Sequence, residues 1–272
     1  MRVAFVIRKG CERCARIVRR IVEILPEDWE VIYDRECARF LGGKGQELER
    51  IEADIIVTVG GDGTALRALQ NSKGPVLGIN MGGLGFLTEV EIGEVEKSIY
   101  RIIRGDYRIE RAMKLKVTVN GIRTKDCTNE VVVHTRKVSK IRKFNIYVSG
   151  HFLDSVSADG VIVATPIGST SYSYSAGGPI LLPSLRAMVI SYLAPFGSRI
   201  RPVVVPTERS IRIRLVGRDQ DSLVILDGQE EIPVHAGDDI EISVSENYAE
   251  FVTLERSFYQ RMREKLIKYV VN

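Results

Sequence analysis

The hydrophobic pattern of this chain changes its period partway along the sequence. In the first hundred residues, apolar runs such as RVAFVIR and DIIVTV alternate with segments whose apolar residues recur at helical spacing. After Arg108, segments of alternating apolar and polar residues follow one another, and Asn120-Gly121 is a strong hairpin signal. The first pattern predicts a mostly parallel sheet with helices on both faces, and the second predicts an all-β domain.

We therefore expect two domains in this chain. A Rossmann-like α/β domain with an open parallel sheet should occupy residues 1–107, and an all-β sandwich domain should occupy residues 108–254. Helical spacing returns in SFYQRMREKLIKYV, which predicts a last helix over residues 255–272 that packs back on the first domain. A chain of 272 residues is long enough for two domains of ordinary size.

Composition and charge exclude several classes of partner. Apolar residues make up 44% and charged residues 27% of the chain, which is typical of a globular protein. No apolar run approaches the roughly 20 residues that a membrane helix needs, and MRVAFVIRKG is charged too early for a signal peptide. The formal net charge is +4 and no dense basic run is present, so we expect no nucleic acid. We expect a cytoplasmic protein that binds no membrane.

The four cysteines leave two interpretations open. Cys11 and Cys14, in CERC, have the spacing of a redox or metal pair, but Cys37 and Cys127 do not supply the second pair that a zinc site needs. Cys11 and Cys14 are therefore either a disulfide or redox pair, or ordinary thiols at the start of a helix. The second interpretation is favoured.

A glycine-rich turn with an acid in its centre follows the strand DIIVTV. In an open parallel sheet, ligands bind at the carboxyl ends of the strands. The glycines of GGDGT let the backbone approach a ligand closely, and the helix that follows attracts anions to its N-terminus. We expect Gly60, Gly61, Gly63 and Thr64 to bind phosphate. A plain strand-to-helix turn is the alternative, and three glycines around Asp62 disfavour it.

Three further segments carry candidate ligand groups. NMGGLGFLTEV follows the next strand at the same sheet edge, and its glycines and Phe86 indicate a mobile loop with an aromatic contact, or a loop that only packs. The segment ADGVIVATPIGSTSYSYSAGGP contains a dense series of hydroxyl groups, which suit sugar hydroxyls and base edges, with tyrosines that can stack on a ring. A solvated loop is the alternative. Before it, Asn129-Glu130 offers an amide beside a carboxylate, a weak signal by itself.

Taken together, these segments resemble the NAD kinase family. GGDGT, NMGGLGFLTE, TNE and TPIGSTSYSYSAGGP occur in the order and spacing of that family, and the resemblance spans nearly the whole chain. The glycine-acid turn is shared with diacylglycerol, sphingosine and phosphofructo-kinases, whereas the hydroxyl-rich segment with the Asn-Glu pair is far more specific. The resemblance implies a phosphotransferase that moves a terminal phosphoryl group from ATP or polyphosphate to the 2′-hydroxyl of the adenosine ribose of NAD, making NADP.

The resemblance also implies a role for each matching residue. Asp62 would be the catalytic acid of the family's motif. The substrate-binding residues would be Gly63 beside that acid, Phe86 at the adenine side, Asn129 at the adenine, Glu130 at a ribose hydroxyl, Asp159 at the nicotinamide half, Thr170, Ser171 and Tyr172 around the adenine with Tyr172 stacking, Ser175 toward the nicotinamide, and Asp227 and Gln229 of LDGQ at the nicotinamide end.

Two departures from the family pattern limit this transfer of roles. Ser171 stands where many members carry alanine, which adds one hydroxyl and should be tolerated. Phe196 and Gly197 stand in a segment where many members carry a histidine, so we assign no site residue there.

The resemblance further implies a cofactor and an assembly. A divalent metal ion, Mg²⁺, would arrive with the phosphoryl donor, and no residue is assigned as its ligand. The family forms dimers or tetramers, so we expect a homo-oligomer. The choice of donor and the acceptance of NADH stay open.

Two other functions are alternatives to a NAD kinase. A lipid kinase of the diacylglycerol kinase type shares the glycine-acid turn but gives no reason for the hydroxyl-rich segment. A non-catalytic dinucleotide sensor would do better with a neutral residue in place of Asp62.

Overall fold

The protein divides into two compact units. The computed structural model describes residues 1–82, 85–137, 141–197, 200–217 and 221–254. Residues 1–111 and 249–254 belong to the first unit, and Ala112–Tyr248 form the second. The boundaries expected from the sequence were 107/108 and 254. The predicted last helix, over 255–272, lies outside the described residues.

The first unit is a parallel sheet with helices between its strands. Its elements in chain order are β1 (Arg2–Ile7), α1 (Glu12–Val22), β2 (Glu30–Asp34), α2 (Arg35–Leu41), β3 (Gly45–Gln46), a 3₁₀ turn (Leu48–Arg50), β4 (Ile55–Gly60), α3 (Asp62–Asn71), β5 (Val76–Asn80), β6 (Val90–Glu91), a 3₁₀ turn (Ile92–Glu94) and α4 (Val95–Ile103).

The strand order in this sheet places the glycine-rich turn at a ligand-binding edge. The order is β3-β2-β1-β4-β5, and each neighbouring pair is parallel. This is the Rossmann order, in which the direction of strand addition reverses between β1 and β4. Strands β1 and β4 are nearly continuous apolar runs because both faces of the sheet are covered. Ligands bind beyond the carboxyl ends of the strands at such a reversal, and the turn that starts at Gly60 ends β4.

The second unit is built from antiparallel strands. The elements that follow α4 are β7 (Arg108–Val119), β8 (Ile122–Arg123), β9 (Glu130–Thr135), β10 (Arg142–Val148), β11 (His151–Ala158), β12 (Gly160–Ala164), a 3₁₀ turn (Gly168–Thr170), α5 (Tyr172–Ser175), β13 (Ala187–Leu193), β14 (Val203–Pro206), β15 (Ile211–Val216), β16 (Ser222–Leu226), β17 (Glu230–Val234) and β18 (Asp239–Thr253). One sheet contains β11-β10-β15-β18, with β7 beside β18, and the other has the order β14-β13-β12-β9-β16-β17.

The two antiparallel sheets enclose one apolar core. Phe144 and Ile213 from the first sheet pack in the same buried cluster as Val133, Val163 and Met188 from the second. This is the packing of a β-sandwich, in which the inner faces of two sheets interdigitate. The combination of a parallel α/β unit and an antiparallel sandwich confirms the predicted fold class.

Strand β9 has two different faces, and this places the Asn-Glu pair. Val131 and Val133 point into the sandwich core, whereas Val132 belongs to a separate buried cluster on the outer side of its sheet. Side chains alternate along a strand, so Glu130 shares the outer face with Val132. Its cross-strand partner Ala164 belongs to the same outer cluster. The side chain of Glu130 is therefore directed away from the core.

Cys11 and Cys14 form a disulfide, which corrects the favoured interpretation of these residues as ordinary thiols. Helix α1 begins directly after Cys11, whose sulfur accepts a hydrogen bond from Cys14 N at 3.1 Å. Residues three apart at a helix start lie on the same side, so the Cα atoms come within 5.2 Å, which suits a disulfide. Cys37 and Cys127 are buried free thiols.

No helix within the described ranges is both long and apolar enough to span a bilayer.

Candidate active site

The glycine-rich turn joins β4 to the N-terminus of α3. A Cβ on Gly60 would overlap the Thr64 hydroxyl, so the close contact between turn and helix requires glycine there. Gly61 precedes the helix and provides no side-chain cap. The first N–H groups of an α-helix have no partner within the helix, and together with the helix dipole they attract anions. Gly63 is exposed, so this end of α3 is open to a ligand, while Thr64 is buried behind it.

The carboxylate of Asp62 holds the loop that follows β5. Its Oδ2 accepts a hydrogen bond from Phe86 N at 2.6 Å, and its Oδ1 accepts one from Leu87 N at 3.0 Å. Phe86 is half-buried. The predicted loop is anchored at this end, and its Gly83 lies outside the described residues.

The Asn-Glu pair carries buried oxygens without partners. Asn129 and Glu130 are each 6% exposed. Asn129 Oδ1, Glu130 Oε2 and the neighbouring Thr128 Oγ1 have no hydrogen-bond partner among the described residues. A buried polar atom left unpaired costs roughly 1–3 kcal/mol, and such atoms in native proteins need an explanation. A ligand with hydrogen-bond donors would supply the missing partners.

The start of the hydroxyl-rich segment is fixed against this pair. Thr165 N donates to Asn129 O at 2.8 Å, and the Thr165 hydroxyl donates to Thr128 O at 2.7 Å. A Cβ on Gly168 would overlap the backbone of Asn129, so the 3₁₀ turn can lie directly on the pair only because residue 168 is glycine. The segment and the pair are therefore held in one arrangement.

Several hydroxyl groups of the segment form hydrogen bonds to other atoms of the protein. Ser169 and Ser173 are fully buried, and their hydroxyls bond to Pro166 O at 2.6 Å and to the Ser191 hydroxyl at 2.8 Å. These two are structural. The predicted ligand residue Thr170 is 9% exposed, and its hydroxyl donates to Ile167 O at 3.0 Å.

Ser171 and Tyr172 lie beside the carboxyl group of Glu130. The Ser171 hydroxyl and the Tyr172 backbone N–H both donate hydrogen bonds to it. Tyr172 begins the short helix α5 and is 42% exposed, so its ring has an open face for stacking. Ser175, at the end of the same helix, is exposed.

Burial governs the charge of this group of residues. Burial, and after it the negative charge of Asp227, raise the pKa of Glu130 to about 8, and the hydrogen bonds from Ser171 and Tyr172 oppose the rise. Burial also raises the pKa of Asp227 to about 6, against the effect of the backbone N–H groups that bond to it. Without a ligand, Glu130 therefore keeps its proton to a large extent at neutral pH.

Asp227 is directed inward. Its side chain is 3% exposed and accepts hydrogen bonds from the backbone N–H groups of Thr128, Asn129 and Glu130. The resemblance placed Asp227 at the nicotinamide end, and that direct contact stays a prediction. Apart from a turn signal in LDGQ, no local pattern in the sequence indicates these bonds.

Two other predicted residues are set apart from the Asn-Glu pair. Asp159 precedes β12, and its carbonyl accepts a hydrogen bond from Thr135 N at 2.9 Å. Glu130 pairs with Ala164 at the other end of β12, which is roughly 16 Å away at about 3.3 Å per residue. Gln229 is exposed, with its side-chain nitrogen 3.4 Å from Asp227 O. The ligand roles of Asp159 and Gln229 stay predictions.

Comparisons with known proteins agree across the whole chain. Residues 29–107 match the family model of the ATP-NAD kinase N-terminal domain, and residues 128–254 match that of the C-terminal domain. The NAD kinase of Thermoplasma volcanium is 63% identical over 272 residues, and that of Thermoplasma acidophilum is 59% identical over 272 residues, with all of each chain covered.

Solved structures show the same fold. A crystal structure of an NAD kinase from Archaeoglobus fulgidus in complex with ATP matches with a TM-score of 0.76 and 32% identity, covering 99% of this chain and 98% of that one. Yeast NADH kinase complexed with NADH matches with a TM-score of 0.87 at 22% identity, covering 100% and 88%. The family models and the archaeal relatives together show that this chain belongs to the ATP-NAD kinase family.

Proposed function

We propose that the protein phosphorylates NAD at the 2′-hydroxyl of its adenosine ribose and so makes NADP. The observation that carries this proposal is the pair of buried oxygens without partners on Asn129 and Glu130. An adenine amino group can donate to the amide oxygen of Asn129, and a ribose hydroxyl can donate to Glu130. Tyr172 has an exposed ring on which a base can stack. These are the groups that a dinucleotide presents.

The first unit supplies groups for the phosphoryl transfer. The open N-terminus of α3 with Gly61 and Gly63 would bind the phosphates of the donor. Asp62 would accept the proton of the 2′-hydroxyl as that oxygen forms its bond to the terminal phosphorus and the bond to the donor's bridging oxygen breaks. The bonds from Phe86 N and Leu87 N orient its carboxylate.

We also propose that a divalent metal ion arrives with the donor. Within the described residues, no three side chains of His, Cys, Asp or Glu converge as a metal site. Mg²⁺ in phosphoryl-transfer sites is bound through one or two carboxylates together with the substrate phosphates, so such a cluster is not required. The ion would neutralise charge on the transferred group. Chelation should therefore abolish turnover, and added Mg²⁺ should restore it.

Three finer points belong to the same proposal. We expect ATP as a donor and polyphosphate as a second candidate, because both present a chain of phosphates to the same turn. We expect a dimer or tetramer, which light scattering on the purified protein measures. We expect the protein to act in the cytoplasm.

The function is tested by incubating the purified protein with NAD, Mg²⁺ and ATP and measuring NADP with an NADP-specific dehydrogenase. Parallel reactions replace ATP by other nucleotides or polyphosphate, and NAD by NADH. Phosphorylation of diacylglycerol without NADP formation would favour a lipid kinase. Binding of NAD without turnover, whichever phosphoryl donor is added, would favour a non-catalytic dinucleotide sensor.

A further inference from the structure

Asp227 makes an unusual set of contacts for a residue in a hairpin turn. It follows β16 and has a φ of 50°, in the left-handed region that Asp and Asn tolerate better than most residues. A turn residue of this kind usually has an exposed side chain. Here the carboxyl group is buried, although asparagine or glycine would form the same turn without the cost of burying an acid.

The buried carboxylate collects three consecutive backbone donors. Oδ2 accepts from Thr128 N at 2.7 Å, and Oδ1 accepts from Asn129 N at 2.8 Å and from Glu130 N at 3.0 Å. In return, Asp227 N donates to Glu130 O at 3.0 Å. Hydrogen bonds to an ionised acceptor are shorter and stronger than those between neutral groups.

These bonds act on the residues whose side chains lack partners. Thr128 and Asn129 precede β9, so their N–H groups lie outside the strand ladder. Without Asp227, the three N–H groups would be buried donors near the start of the strand, and the backbone would have to move to satisfy them. The contacts with Asp227 therefore fix the backbone that carries the unpartnered oxygens of Asn129 and Glu130.

We propose that Asp227 is a positioning residue that holds the Asn129–Glu130 backbone in its NAD-binding conformation before NAD arrives. The proposal rests on the proposed function and assigns to Asp227 an action through the pair, in place of the direct contact with the nicotinamide end that the resemblance implies. Burial raises the pKa of Asp227 to about 6, and the three backbone N–H groups oppose that rise by favouring the ionised form.

The test is the substitution Asp227→Asn, which keeps the shape and the tolerance for a positive φ. One oxygen of the carboxylate becomes an NH₂ group, so one of its acceptor positions becomes a donor facing a backbone N–H. We expect the dissociation constant for NAD and the KM for NAD to rise about ten-fold or more. The KM for ATP should stay within two-fold, and kcat at saturating NAD should change less than the KM for NAD.

Asp126→Asn is the matched control. Asp126 is another buried carboxylate of the same unit, and it bonds to Arg123, Ser245 and Asn247 rather than to the backbone of the pair. Asp126→Asn should lower thermal stability without changing the KM for NAD. Equal KM values for NAD in the two variants, at comparable stability, would overturn the proposal. Absence of NADP formation by the unmodified protein would instead refute the proposed function.

A measurement on the unmodified protein covers the case in which Asp227→Asn does not fold. Hydrogen exchange followed by mass spectrometry, with fragments that cover residues 128–130, reports whether these N–H groups are bonded. We expect strong protection without NAD and little change on adding it. Rapid exchange that becomes slow only with NAD would show that the ligand, and not Asp227, orders the pair.

Discussion

Replacing Glu130 by glutamine should stabilise the free protein at alkaline pH while weakening its binding of NAD. The folded protein raises the pKa of Glu130 from 4.5 to about 8, first through burial and then through the charge of Asp227. A carboxyl whose pKa is higher in the folded state binds its proton more tightly there. Its ionisation therefore lowers stability increasingly between pH 4.5 and about 8, and glutamine avoids this because it does not titrate.

The size of the effect follows from the shift. One pKa unit corresponds to about 1.4 kcal/mol. The shift of the Glu130 pKa from 4.5 to about 8 therefore limits the gain in free energy of unfolding at pH 8 to about 5 kcal/mol. Because glutamine accepts the hydrogen bonds from Ser171 and Tyr172 less strongly than a carboxylate, we expect a gain in stability of about 2 kcal/mol. For a chain of this size, that corresponds to a rise of about 4–8 °C in the thermal midpoint.

Calorimetry of both proteins without NAD, at pH 5 and at pH 8, measures the effect. The gain in stability should be clear at pH 8 and small at pH 5, because pH 5 lies only slightly above the unfolded pKa of 4.5. Titration calorimetry at pH 8, where Glu130 ionises, should show a dissociation constant for NAD at least ten-fold higher in Glu130→Gln, since a charge-assisted bond to the ribose is lost. Glu231→Gln, at an exposed position on β17, is the control and should show neither change. A lower midpoint for Glu130→Gln at pH 8, or equal gains at both pH values, would refute the reasoning.

Three further substitutions test other parts of the site. Asp62→Asn should lower kcat by roughly 10²–10⁴-fold, the range for a lost general base, while NAD still binds. Turnover within a few-fold of the parent would instead show that Asp62 is a structural residue that only holds the loop at Phe86. Tyr172→Ala should raise the dissociation constant for NAD by about five-fold or more through lost stacking, and Tyr172→Phe should retain most of the affinity; unchanged binding in both variants would place the ring outside the NAD site. Cys11→Ser combined with Cys14→Ser should keep turnover and lower the thermal midpoint, as calorimetry beside an activity assay would show; loss of turnover in the folded double variant would mean that the disulfide serves catalysis.

The local features of this protein were readable from its sequence. The change of hydrophobic period separates a parallel sheet from a β-sandwich because side-chain periodicity depends on the element in which a residue lies. The turn around Asp62 and the Asn-Glu pair were found because glycine, amide and carboxylate groups stood at the ends of apolar strands. Each of these signals spans only a few neighbouring residues.

Contacts between distant segments could not be read in this way. The bonds between Asp62 and the backbone of Phe86 and Leu87 join residues 24 and 25 positions apart. Those between Asp227 and the backbone of residues 128–130 join residues 97 to 99 positions apart. Nothing in a local pattern says which backbone N–H groups a distant carboxylate meets. The interpretation of the hydroxyl-rich segment was incomplete for a different reason. Its composition did not show that the side chains of Ser169 and Ser173 are buried.

Strand β9 imposes a constraint on how this protein can vary. Val131 and Val133 form part of the sandwich core, while Glu130 and Val132 face the outer side. Inserting or deleting one residue between Glu130 and Val133 would exchange these faces, placing a carboxyl group in the core and a valine on the outer face. A single substitution in the strand leaves these faces in place, whereas a change in the length of the strand does not. Libraries that aim to change nucleotide preference should therefore vary residue types here and place insertions elsewhere.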